Sequence, residues 1–202
     1  MTVIDSPATY GPAEQRRILA LAREVTTKSL RDGEVAEVTL GRDEAFLREL
    51  RGCFVTLKHP QRGLRGCIGT FTAEEALWIN IVKMGQSALR DPRFVQTQPV
   101  RLAELPELLI EVSVLTPMQP IDDPLQMRLG IDGIYILATS RGRSGCFLPQ
   151  VPVEQGWTVE QTLSACCAHK MGLTADAWRS PGDLQFSVFQ STIIAESAPG
   201  EP

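Results

Sequence analysis

Surplus positive charge is the first thing this sequence lacks. Twenty Lys and Arg stand against 24 Asp and Glu, a formal net charge of -4, so no global basic field exists to hold a nucleic-acid backbone or an anionic membrane. Broad nucleic-acid binding is therefore not expected. Long apolar runs are missing too: none approaches the roughly 20 residues of a bilayer span, and Met1 to Pro12 shows no basic stretch followed by an apolar one. A soluble, unexported, cytoplasmic protein is the expectation. Cysteine is scarce, with Cys53, Cys67, Cys146, Cys166 and Cys167 forming an odd set without C-x-x-C spacing, which argues against a disulfide framework or a zinc site and for reduced thiols. Histidine is scarcer, with only His59 and His169. Serine in a G-x-S-x-G elbow, H-E-x-x-H and both common phosphate-binding glycine motifs are absent, so neither those hydrolase chemistries nor nucleotide binding by those routes is indicated.

What is present suits a folded protein. The 202 residues are 43% hydrophobic and 22% charged, enough to bury a real core as one domain or two packed lobes. Pro12 to Arg31 reads as an amphipathic helix opened by proline and stopped at Gly33, and a shorter helix is predicted over Asp43 to Leu50. Two β-rich runs, Gly52 to Lys58 and Leu64 to Thr70, flank a turn containing Pro60 and Gly63, a β-hairpin pattern. A capping box at Thr72 to Glu75 opens a predicted helix through Leu89, ended by Pro92. Leu108 to Thr116 alternates as a half-buried strand. A second hairpin is read over Gly133 to Pro149, a second capping box at Thr158 to Gln161 opens a helix ending at Gly172, and Leu184 to Ile194 reads as a last strand. The tail at 197–202 is expected to be mobile.

The stretches Gly52 to Leu89 and Gly133 to Gly172 share an order: strand, Gly- and Arg-containing turn, strand with a Gly-Cys pair, Thr-initiated helix. Internal duplication and recurrent fold grammar both account for it. Either way, antiparallel hairpins with intervening helices predict an α+β fold.

The densest motif is Gly63-Leu-Arg-Gly-Cys-Ile-Gly-Thr70, with a glycine at every third position. Glycines inside a strand remove side chains so that a ligand or another backbone comes close, or they mark a bulge. Two readings of Cys67 compete. In one, Arg65 shares its strand face and stabilises a thiolate, making Cys67 a nucleophile, redox thiol or anchor. In the other, Cys67 is a small buried hydrophobe. Pairing Lys58 with Leu64 would place Val55 opposite Cys67 and Leu57 opposite Arg65, an apolar setting that a one-residue slip reverses. His59 reads as a solvated turn residue, and the Cys166-x-x-His169 pair has no further matched ligands to make a metal site. Asp91-Pro-Arg-Phe94 offers Asp91 and Arg93 either as cleft residues gripping an anion or as a local salt bridge with Phe94 as an anchor.

These strings resemble the AMMECR-like family, whose signature is similar to Leu64-Arg-Gly-Cys-Ile-Gly69. Supporting stretches are Gly52 to Leu57, Asp91 to Phe94, Glu111 to Leu115, Phe147 to Val151, Gly156-Trp157, Lys170 to Leu173 and Phe189 to Glu196. The resemblance implies one AMMECR-like domain over 1–196, with lobes of antiparallel sheet and flanking helices near 12–120 and 121–196 that exchange chain segments. It places Leu64 to Gly69 beside a cleft and implies a role alongside Memo-like and radical-SAM proteins in a modification pathway. The candidate residues are Cys67 for catalysis and Arg65, Gly66, Gly69, Thr70, Asp91 and Arg93 for ligand binding, with no metal site. Cofactor, substrate and oligomeric state stay open, and a non-catalytic scaffold or docking protein of that pathway is the alternative.

Overall fold

The computed structural model describes residues 9–33, 38–71, 73–180 and 182–201, and divides into two compact units. The first comprises Ala8–Leu115 with Thr192–Pro202, and the second contains Thr116–Ser191.

In the first unit, α1 (Pro12–Asp32) starts with proline, whose missing N–H costs nothing there, and closes on Gly33. The strands are β1 (Cys53–His59), β2 (Gly63–Thr70), β3 (Leu109–Leu115) and β8 (Ser191–Ala195), ordered β2-β1-β3-β8. Cys53, Val55 and Leu57 of β1 and Ile110, Val112 and Val114 of β3 point to one face and pack against Ile18, Leu21 and Val25 of α1 and Ile81 of α2 (Leu77–Ala88). This alternation is what a sheet with one helix-covered face requires, and each fully buried aliphatic contributes roughly 1.5–3 kcal/mol.

Two sequence expectations change in this unit. The segment read as a helix over Asp43 to Leu50 is only a 3-10 turn, Ala45–Arg48. Helix α2 begins at Leu77 with Ala76 as its N-cap, not at Thr72, because Ala76 bridges back to Leu50 and the Leu77 N–H donates to Glu49; Thr72 itself lies outside the described residues.

The second unit has β4 (Gln119–Ile121), β5 (Gly133–Ala138), β6 (Arg143–Phe147) and β7 (Leu184–Phe189) in the order β4-β7-β5-β6. Short α3 (Gln150–Gln155) precedes α4 (Val159–Ala165), whose Thr158 capping box forms as the sequence predicts. A π-helical turn, Cys166–Lys170, extends α4. The core gathers Ile134, Ile136, Phe186 and Val188 from the sheet with Leu163, Cys167 and Trp178. Pro120, read as closing a strand, sits instead inside β4 at the sheet edge, where a missing N–H is tolerated.

The run Leu184 to Ile194 is two strands rather than one. It breaks at Gln190, with β7 in the second unit's sheet and β8 in the first. The sheets share one spatial order: a hairpin (β1-β2, β5-β6), a strand returning after a helix beside the hairpin's first member (β3, β7), and a fourth strand on its far side, which follows the others in the chain in one sheet (β8) and precedes them in the other (β4). Both units are antiparallel sheets with flanking helices, the α+β architecture expected.

Candidate functional site

The site is built on β2, one of the two edge strands of the first unit's sheet. Lys58 pairs with Leu64 as anticipated, but the register slips between Leu57 and Lys58, so Leu57 pairs with Gly66, Thr56 with Cys67 and Val55 with Ile68. Arg65 is the extra residue of a β-bulge. A bulge re-aims its neighbours, and this one overturns two expectations. Cys67 faces Thr56 rather than Val55, on the side of the sheet away from the apolar core, and Arg65 does not serve the thiol.

Arg65 is instead a buried clamp, 2% exposed. Its Nε and Nη2 donate to the Glu104 carboxylate at 3.0 and 3.2 Å, and Nη2 also donates to the Gln98 carbonyl at 2.9 Å. The guanidinium therefore ties β2 to the segment 97–104.

The motif glycines serve close packing. A Cβ on Gly66 would lie 2.0 Å from the Ala88 carbonyl oxygen, so the end of α2 rests directly on the strand backbone. A Cβ on Gly69 would lie 2.2 Å from the Phe54 ring, which occupies that space. Both glycines thus contact this chain's own atoms. Thr70 ends β2 opposite Cys53, half-buried.

Asp91 and Arg93 come to Cys67 from the segment just beyond α2. As a residue of an edge strand, Cys67 has backbone groups without a second strand to pair with. Asp91 Oδ2 accepts the Cys67 N–H at 2.9 Å, and Arg93 Nη2 donates to the Cys67 carbonyl at 3.2 Å. Two side chains thereby take the place of a neighbouring strand. Asp91 is buried, and Arg93 Nη2 meets its Oδ2 at 2.6 Å. Hydrogen bonds from Arg93 pull the Asp91 carboxyl down to about 2; burial opposes this and the Cys67 N–H assists it.

The Cys67 thiol is half-buried and accepts a hydrogen bond from Thr56 Oγ1 at 3.2 Å. Thr56 in turn pairs with Glu111 on β3, so thiol, hydroxyl and carboxylate form a row across three strands, with directly opposed Cβ atoms ~4.5–5.5 Å apart. Lys58 Nζ donates to Glu111 Oε2 at 2.7 Å on the same face. Burial raises the other four thiols: Cys53 to about 12, Cys146 to about 11, and Cys166 and Cys167 upward as well.

His59 was expected in a solvated turn. It is the last residue of β1, 5% exposed, with Nδ1 accepting the Gln61 N–H at 3.1 Å and Nε2 3.5 Å from Glu107. It lies three steps along the strand from Thr56, roughly 10 Å, so no Cys-His dyad forms at Cys67. Cys166 is fully buried and His169 exposed.

Thr56, Glu111, Gln98 and Glu104 were not identified as site residues from sequence. The Arg101-x-x-Glu104 spacing could have flagged Glu104, whose Oε1 accepts the Arg101 N–H at 3.2 Å. Thr56 and Glu111 were visible only as the polar positions of alternating strands.

The AMMECR1 family model matches residues 19–194. The chain belongs to the AMMECR1 family. A protein of Thermococcus gammatolerans is 39% identical over 196 residues, 92% of this chain and 91% of that one. Protein MK0488 of Methanopyrus kandleri is 40% identical over 195 residues, 92% of this chain and 89% of that one. Among solved structures, that of the uncharacterized protein PH0010 from Pyrococcus horikoshii superposes with a TM-score of 0.81 at 34% identity, covering 98% of this chain and 96% of that chain. The AMMECR1 match includes the whole of β2, its bulge and the Asp91-Arg93 clamp. Among the described residues, no helix is long and apolar enough to cross a membrane.

Proposed function

We propose that this AMMECR1-family protein binds or transforms a small molecule at the face of the first unit's sheet carrying Cys67, within a modification pathway shared with Memo-like and radical-SAM proteins. The pathway assignment carries over from the family resemblance. Cys67 is the reacting thiol, and Asp91 and Arg93 position its peptide. The observation that carries the reading is the thiol's setting: Cys67 Sγ accepts the Thr56 hydroxyl hydrogen bond while its N–H and C=O are both held by side chains. The Thr56 hydroxyl orients the sulfur, and the clamp on the Cys67 peptide fixes where that sulfur sits. Arg93, with its side chain 56% exposed, keeps its Nη1 donors for an anionic group of the ligand. Five free cysteines suit a reducing, cytoplasmic setting.

Competitive labelling with iodoacetamide at neutral pH, read by peptide mass spectrometry, tests this. Cys67 labels first, Cys53 and Cys166 resist until the protein unfolds, and Thr56→Val slows Cys67. Labelling of Cys67 no faster than that of Cys146 rules out the thiol chemistry. The alternative is a non-catalytic docking protein that presents this same sheet face to a partner, the β2 edge at Cys67 being already occupied by Asp91 and Arg93. Full pathway function in Cys67→Ser selects that alternative.

A further inference from the structure

Around the buried Arg65, the first unit holds a hollow of about 560 Å³ lined by Arg62, Arg65, Thr97, Gln98, Arg101 and Glu104. Its size falls within the roughly 300–1,000 Å³ of small-molecule sites. Three guanidinium groups meet one carboxylate there, since Glu104 is the only acidic residue among the described lining. Burial pushes the Glu104 carboxyl up, but hydrogen bonds from Arg65 and the Arg101 amide, with the charges of Arg65 and Arg62, outweigh it and hold it ionised. One positive charge is thereby answered and two are left over.

The three arginines differ in how they are held. Arg65 is a rigid floor, locked by Glu104, Gln98 and the Pro99 carbonyl. Arg62 reaches Glu104 at 3.3 Å with its side chain 58% exposed. Arg101 is exposed, and no carboxylate among the described residues pairs with its guanidinium. Guanidinium is charged at every accessible pH and presents paired donors that match the oxygens of a phosphate. An excess of two charges on a chain of net -4 is a local feature, suited to a compact dianion rather than to a long polyanionic backbone.

We propose that this hollow binds the phosphate or diphosphate group of a small molecule, with Arg62 and Arg101 as the mobile jaws and Thr97 and Gln98 as neutral hydrogen-bonding partners. The assignment is independent of whether Cys67 reacts. Titration of inorganic pyrophosphate into the full-length 15N-labelled protein at low salt tests it. Saturable shifts are expected at the amides of Arg62, Thr97, Gln98 and Arg101. Arg62→Gln and Arg101→Gln, both at exposed side chains, should each weaken binding about tenfold while leaving the remaining spectrum unchanged. Arg141→Gln, in the second unit, should bind as the parent does. The proposal is overturned by shifts that never saturate, by saturation centred elsewhere, by unchanged affinity in both variants, or by a short single-stranded RNA that displaces pyrophosphate from these amides at lower concentration.

Discussion

Replacing Asp91 with Asn removes the charge from the clamp on Cys67 while preserving its shape, and the structure sets the size of the effect. The Asp91 carboxyl is lowered from its ordinary 3.8 to about 2, a difference worth about 2 kcal/mol between the ionised and protonated folded states. Arg93, its main partner, is more than half exposed, and solvent screening trims this to about 1–2 kcal/mol. A carboxyl lowered on folding contributes fully above its unfolded value, and the contribution fades as pH falls through the folded one. The stability difference between parent and Asp91→Asn should therefore be full at pH 7, roughly half at pH 3, and gone below about pH 2. Two units make a single global transition an unsafe readout, so the direct assay is hydrogen exchange at the Cys67 amide, whose acceptor is Asp91 Oδ2. Exchange there should quicken about five- to thirtyfold at pH 7 in Asp91→Asn, with less change at Val112 in the centre of the sheet. An unchanged Cys67 amide, or a difference that stays constant from pH 7 to pH 3, refutes the idea that this pair substitutes for a neighbouring strand.

Two further outcomes follow from the motif's packing. Arg65→Gln leaves the buried Glu104 with only exposed Arg62 and the Arg101 amide as partners and should destabilise the first unit by about 3 kcal/mol, read as faster hydrogen exchange at Val112; unchanged exchange with lost binding would restore the reading of Arg65 as a ligand residue. Gly66→Ala drives a methyl into the Ala88 carbonyl oxygen and should cost about 1–3 kcal/mol, lowering the melting temperature of the first unit, whereas an unchanged melt would mean that α2 shifts at no cost.

Much of this architecture is legible in the residues themselves. The helix α1 is framed by Pro12 and Gly33, the hairpin β1-β2 by Pro60 and Gly63, and α4 by the Thr158 to Gln161 box, because local backbone chemistry decides those boundaries. What escaped is set by tertiary contacts. The bulge at Arg65 exists because the side chain has Glu104 and Gln98 to reach, 39 and 33 residues away, and without that slip Thr56 reads as an ordinary strand polar residue. The break at Gln190 escaped for a similar reason: its N–H donates to Thr116 Oγ1 and its Nε2 to buried Asp132. No local pattern announces such partners. At the candidate site, the motif singled out β2, while the placement of its residues, with Arg65 packed away and Asp91 and Arg93 at the Cys67 backbone, came only with the register.

The connection of β3 to β8 has a consequence for biosynthesis. The segment Thr116–Ser191 carries the whole of the second unit's sheet and interrupts the first unit, so its strands have all been synthesised before β8 is complete. The first unit waits: until β8 is made, β3 is an open sheet edge and Arg23 lacks Glu196, whose Oε1 lies 2.9 Å from its Nε and whose Oε2 accepts the Ile110 N–H. Open edges of this kind recruit other chains. The inserted segment can thus mature while the unit bearing the Cys67 strand remains unfinished, and β8, made after every other strand of the two sheets, is the one that closes it.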